Sequence, residues 1–119
     1  MRMAVMGLGG VGGYFGGMLA RRYAGSREHG VVFIARGVHL DAIRRDGLCL
    51  KTVEGEYRVA PDLATDRPTE AGPCDLVLLC VKGYDLEATA AAIGPLLHDG
   101  TVVLPVLNGV DIAERLRAL

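Results

Sequence analysis

Seven of the eleven residues from Gly7 to Gly17, GLGGVGGYFGG, are glycine. They fall where the hydrophobic spacing asks for a helix, because Val11, Tyr14, Phe15, Met18 and Leu19 follow the i, i+3, i+4, i+7, i+8 pattern of one helical face. Each glycine inside a helix costs about 1 kcal/mol relative to alanine. A chain that carries several has a use for the missing side chains. The run directly follows a short apolar segment, 3–6, that reads as a buried strand. The chain therefore starts with a strand, a glycine-rich turn and a helix.

Gly7, Leu8, Gly9, Gly10, Val11 and Gly12 match the spacing G-x-G-x-x-G. Between a strand and a helix at the start of a chain, that spacing marks a dinucleotide-binding unit. Gly7 permits the turn out of the strand, Gly9 leaves room for a pyrophosphate at the backbone, and Gly12 lets the helix sit close on the strand. The anion then meets unpaired N–H groups at the positive end of the helix. The alternative is a glycine-rich turn that binds nothing. Gly13, Gly16 and Gly17 lie outside the motif. On a helical wheel they join Gly12 and Ala20 in a small stripe opposite the large apolar face. A helix apolar all round is buried all round. The small stripe is thus expected against the sheet, and the large face under a further cover. The reverse, with the large face on the sheet and the glycines in solvent, stays open.

Further strands are expected at 31–35 (VVFIA), 75–81 (DLVLLCV) and 101–106, and helices at 39–46, 86–97 and 110–119. A hairpin of 48–51 with 57–60 turns at Glu54-Gly55. Residues 62–74 read as a connection broken by Pro68, Gly72 and Pro73. Apolar strands alternating with helices indicate an α/β fold, a Rossmann-type doubly wound, mainly parallel sheet, with residues 1–119 as one domain. The formal net charge is −1 with acids and bases mixed, so neither nucleic acid nor a membrane surface is an expected partner. The longest apolar run, 76–81, is too short to span a bilayer. Three cysteines without a CxxC pair suit a reduced, cytoplasmic protein without disulfides. His29, His39 and His98 lack metal-ligand spacing, so no metal is expected. Cys80, inside a buried strand, reads as core packing.

In an NAD-binding unit an acid ends the second strand and bonds the ribose 2′-hydroxyl. Here VVFIA runs into Arg36, whose fork of donors suits a 2′-phosphate, and Asp41 is too far along to replace the acid. NADP(H) is the expected cofactor, with a solvated surface arginine as the alternative. Ligands in such sheets bind beyond the carboxyl ends of the strands. Lys82, in VKGYD, follows one strand and could meet cofactor or donate a proton, or simply snorkel. Asn108, in LNGV, follows another and could bond the nicotinamide ribose or a substrate oxygen, or cap the next helix.

Taken together, MGLGGVGGYFGG, FIARG with HLDAI, DLVLLCVKGYDLE and VVLPVLNGVD resemble the N-terminal domain of the 2-dehydropantoate 2-reductases, or ketopantoate reductases. The resemblance covers nearly the whole chain. It implies reduction of 2-dehydropantoate to pantoate by NADPH, on the way to pantothenate and coenzyme A. It places the pyrophosphate on Gly7 to Gly12, the 2′-phosphate on Arg36, cofactor at Lys82, and cofactor and substrate at Asn108. In that family the general-acid lysine and most substrate contacts lie in a helical C-terminal domain. On this reading the present chain is a fragment without that domain, with no catalytic residue of its own. Two alternatives remain: the cofactor domain of a related 2-keto or 3-hydroxy acid dehydrogenase, or a stand-alone, non-catalytic NADP-binding module. The apolar helix face or an open sheet edge could also mediate homo-oligomers.

Overall fold

A strand that is apolar at every position must be covered on both faces, and the strand order decides where the covers go. The computed structural model describes residues 1–81 and 86–106. In chain order the elements are β1 (Arg2–Met6), α1 (Gly10–Arg22), β2 (Gly30–Ile34), α2 (Gly37–Asp46), β3 (Leu48–Thr52), β4 (Gly55–Val59), β5 (Leu63–Thr65), α3 (Pro68–Ala71), β6 (Leu76–Leu79), α4 (Leu86–Ala92), a 3-10 turn at Gly94–Leu96, and β7 (Val102–Pro105). Five strands form one sheet in the order β5-β2-β1-β6-β7, with every neighbouring pair parallel. β3 and β4 form a separate antiparallel hairpin. Met6, the last residue of β1, lies opposite Ile34 of β2 on one side and Leu79 of β6 on the other.

The period-two alternation of the strands sorts the core into two layers. Met3, Val5, Val31, Phe33 and Leu78 are buried with Leu8 and Ala20 of the first turn and helix, Ile43 of α2, and Leu50 and Val59 of the hairpin. Ala4, Met6, Val32, Ile34, Val77 and Leu79 are buried on the other side with Ala71, Leu86, Ile93 and Leu96.

The small stripe of α1 faces inward, as its sequence suggests. A methyl group on Gly16 would stand 3.1 Å from the Phe33 ring and 3.2 Å from Leu8 Cδ1, and one on Gly17 3.0 Å from Leu50 Cδ1. The stripe thus packs on two surfaces. Gly16 lies on the sheet, whereas Gly17 lies on the hairpin, which also holds the helix through Arg21 stacked 3.6 Å over the Tyr57 ring. The large face, Val11, Tyr14, Phe15 and Met18, is 38–51% exposed.

Two expectations need correction. Residues 62–74 are not merely a connection, since they carry the edge strand β5 and the short helix α3. Three residues are too few to show a period, and β5 exists because Val32 to Ile34 offer it a partner. Pro68 opens α3 rather than breaking structure, because the first helical position needs no N–H. The helix expected over 86–97 stops at Ala92, where Gly94 and Pro95 tighten the chain into the 3-10 turn. The helix expected over 110–119 lies outside the described residues.

At the amino ends of β1, β6 and β7, side chains tie the strands together. Asp75 accepts the Arg2 N–H at 2.8 Å through Oδ2 and meets His98 Nε2 at 2.9 Å through Oδ1. His98 Nδ1 accepts the Gly100 N–H at 2.9 Å, so Nε2 carries the proton in the neutral ring. Thr101 Oγ1 donates to the Cys74 carbonyl at 2.6 Å and accepts the His98 N–H at 2.8 Å. The Arg2 N–H, with help from His98, holds the Asp75 carboxyl below its usual range.

Candidate cofactor site

The opposite ends of the same strands are built from backbone. The chain winds outward from β1 through β2 to β5, then returns to β6 on the other side and continues to β7. The winding therefore reverses between β1 and β6, which is where ligands of such sheets bind, beyond the carboxyl ends.

Gly7 occupies that point. Its φ of +88° is the left-handed region that favours glycine, and its N–H donates to the Ile34 carbonyl at 3.1 Å. A side chain here would also lack space, because its Cβ would stand 3.0 Å from the Cys80 carbonyl oxygen and 3.1 Å from Val81 Cγ1. Leu8 is buried and anchors the turn in the core. Gly12 is buried on the first turn of α1. A methyl group on it would run into the Gly7 carbonyl and come within 2.9 Å of Cys80 Cβ. The protein's own packing thus explains Gly7 and Gly12.

Gly9 and Gly10 have no such explanation. Gly9 caps α1 at an ordinary φ of −70°, both residues are exposed, and a Cβ on either would meet nothing within 4 Å. The helix begins with the Gly13 N–H donating to the Gly9 carbonyl at 2.6 Å. The N–H groups of Gly10, Val11 and Gly12 consequently have no partner within the helix. The cap has no side chain to satisfy them, and the first turn carries no acid. The positive end of the helix dipole is left open. An open row of N–H groups beside a glycine that packing does not require fits a phosphate group.

Arg36 follows β2 at the same, carboxyl, end of the sheet. It is exposed and occupies the N-cap of α2 with extended backbone, and Gly37 takes φ +64° to start the helix. Asp41 is exposed further along α2, away from that cap. Lys82 and Asn108 lie outside the described residues. The described chain stops beside them, at Val81 after β6 and Val106 after β7.

Cys80 packs against the core, as its sequence reading has it, but from the rim. It is half-buried just beyond β6, and its N–H donates to the Met6 carbonyl at 2.8 Å. It therefore stands across from Gly7 as part of the wall beneath the turn. Burial raises its thiol pKa. The parallel register of β1 with β6 is the signal that could have located it, since Met6 opposite Leu79 puts Gly7 opposite Cys80. Among the described residues no group of three or more His, Cys, Asp or Glu side chains could hold a metal ion, and no helix is long and apolar enough to cross a membrane.

The strand order and the glycine turn at its reversal define a doubly wound α/β domain of the Rossmann type. The family model "Ketopantoate reductase PanE/ApbA" matches residues 3–119, and the chain belongs to that family of oxidoreductases. It is 39% identical over 110 residues to a 2-dehydropantoate 2-reductase of Mesorhizobium japonicum, covering 92% of this chain and 32% of that one. A crystal structure of 2-dehydropantoate 2-reductase from Porphyromonas gingivalis W83 is similar with a TM-score of 0.92 and 48% identity, over 98% of this chain and 42% of that one. A ternary structure of D-mandelate dehydrogenase with NADH and anilino(oxo)acetate is similar with a TM-score of 0.76 and 26% identity, over 98% and 37%. The chain spans about a third of the length of the curated relatives it matches.

Proposed function

We propose that this chain is the NADP(H)-binding part of a cytoplasmic enzyme that reduces 2-dehydropantoate to pantoate, a step toward pantothenate and coenzyme A. The observation that carries the reading is Gly9, a glycine at the reversal of the winding that neither backbone angle nor packing requires. It adjoins the open N–H groups of Gly10 to Gly12, and family membership supplies the reaction class. When bound, the dinucleotide supplies the hydride for a ketone carbon. The residues of this chain hold and orient it. The turn from Gly7 to Gly12, with Leu8 as anchor and Val11 in the first helical turn, receives the pyrophosphate. Arg36 receives the 2′-phosphate, Lys82 lies at the cofactor, and Asn108 bonds cofactor and substrate. No residue of this chain is assigned as the acid that protonates the developing alkoxide, and the chain alone is expected to bind cofactor weakly and to reduce nothing.

A second reading, the cofactor part of a dehydrogenase for another 2-keto acid, is favoured by the likeness to D-mandelate dehydrogenase, whose structure holds NADH. Arg36 argues against NADH in this chain. Calorimetric titration of NADPH and NADH into wild type and Arg36→Ala separates the two. Loss of a charge-assisted contact to phosphate weakens binding by about 1.5–3 kcal/mol, or roughly 10- to 150-fold. Wild type should therefore prefer NADPH, and Arg36→Ala should lose that preference with its NADH affinity unchanged. Equal affinities for the two cofactors in wild type contradict the assignment.

A further inference from the structure

His98 is held at both ring nitrogens, and the two bonds ask opposite things of it. Nε2 meets Asp75 Oδ1 at 2.9 Å, and Nδ1 accepts the Gly100 N–H at 2.9 Å. Only the neutral ring, with its proton on Nε2, satisfies both. A charged ring carries a proton on each nitrogen. It strengthens its bond to the Asp75 carboxylate, but its Nδ1–H then points at a second donor, the Gly100 N–H. Asp99 and Gly100 form an exposed turn, closed by the Thr101 N–H on the His98 carbonyl at 3.1 Å.

We propose that His98 is a pH-sensitive latch on the turn before β7: uptake of a proton exchanges the Gly100 hydrogen bond for an ion pair with Asp75. The latch lies at the opposite end of the sheet from the glycine turn and is independent of the cofactor reading. The ring stays in place, because Asp75, directly before β6, is itself fixed by the Arg2 N–H at 2.8 Å. The Gly100 peptide is the side that yields. It is exposed, so water can replace Nδ1, and glycine leaves the peptide free to turn. A side chain at this position would also crowd the ring, since its Cβ would stand 3.2 Å from His98 Cε1. The ties that do not use the ring remain. The His98 N–H donates to Thr101 Oγ1, Thr101 Oγ1 donates to the Cys74 carbonyl, and the Val102 N–H donates to the Asp75 carbonyl at 2.9 Å. Proton uptake thus releases the turn while β7 keeps its register on β6. Among the described residues, Asp75 is the charged group that faces the ring. From β1, the Arg2 N–H and the Met1 amine act on the same carboxylate and keep it ionised while histidines titrate. The Arg2 Nε–H is taken by the Ala71 carbonyl, and Asp99 is the remaining charge on the turn.

Nuclear magnetic resonance tests the latch between about pH 8 and about pH 5. It follows the His98 ring nitrogens and the protection of the Gly100 and Val102 amides from solvent exchange, corrected for the intrinsic pH dependence of exchange. At the alkaline end the ring should hold its proton on Nε2. As the ring takes up a second proton, Gly100 protection should fall roughly 2- to 12-fold, the contribution of one hydrogen bond, with Val102 unchanged. In Asp75→Asn the release should move to lower pH, because the lost carboxylate favoured the charged ring. In His98→Gln it should vanish. Gly100 protection that stays flat while His98 titrates, or a proton on Nδ1 at the alkaline end, overturns the proposal. Loss of Gly100 and Val102 protection together also overturns it, since the strand end then opens as a whole. If Asp75→Asn fails to fold, the wild-type measurements decide.

Discussion

The two ends of the β1–β6 seam are finished in opposite ways. At the amino ends, Arg2, Asp75, His98 and Thr101 close a side-chain network around the strand termini. At the carboxyl ends, a few residues away along the same strands, the turn from Gly7 to Gly12 offers backbone only, and the first N–H groups of α1 have no capping side chain. Polar groups left open at an exposed helix start contribute little to stability, whereas a satisfied network contributes to it directly. The contrast teaches that one end secures the sheet, while the other, on the reading proposed above, keeps a place for an anion.

The contrast can be broken most severely at Gly12. There the fold and the proposed site share one contact, because a Cβ would run into the Gly7 carbonyl and Cys80. Both obstacles are fixed to the sheet, so Gly12→Ala should destabilise the protein by about 3 kcal/mol, the upper end for overpacking. It should also abolish NADPH binding. Urea unfolding measures the first effect and calorimetry the second. A variant as stable as wild type would mean that α1 does not rest on the seam as described.

The amino end can be addressed separately, through pH. The folded-state pKa of Asp75 is lowered from an ordinary 3.8. Its contribution to stability is therefore fully present above that ordinary value and is lost as pH falls through the lower, folded-state value. Wild type should show an acid-dependent loss of stability in that window, and Asp75→Asn should show a smaller one. At neutral pH, Asp75→Asn should bind NADPH as wild type does. Unfolding midpoints measured from neutral pH down to about pH 2, with one titration at neutral pH, check both statements. A weakened cofactor affinity would mean that the two ends are coupled.

Much of this contrast is legible in the sequence, though unevenly. The glycine spacing, the small stripe on α1 and the apolar strands are local patterns, and each reappears in the fold. β5 escapes such reading because Leu63 to Thr65 become a strand only by pairing with β2. The amino-end network escapes it because Arg2 and Asp75 stand 73 residues apart and nothing local marks them as neighbours. The place of Cys80 follows from a register between two strands, which composition and periodicity do not carry. Arg36 is legible as the residue ending the second strand, and the structure places it at the carboxyl end of the sheet, exposed at the start of α2.

The smallest effect on the fold belongs to Gly9, and there the central claim is most exposed. Its φ is ordinary and a Cβ would meet nothing within 4 Å, so Gly9→Ala should cost no more than about 1 kcal/mol of stability, the preference of an N-cap for glycine over alanine. If the space above it is kept for a pyrophosphate, the same methyl group should weaken NADPH binding by more than about tenfold, or about 1.4 kcal/mol. The decisive measurement is NADPH affinity by calorimetry in Gly9→Ala and wild type, with the unfolding midpoint of each. A midpoint lowered only by that small cap cost, with lost affinity, is the result expected of a turn shaped for a ligand. Wild-type affinity in Gly9→Ala would contradict it.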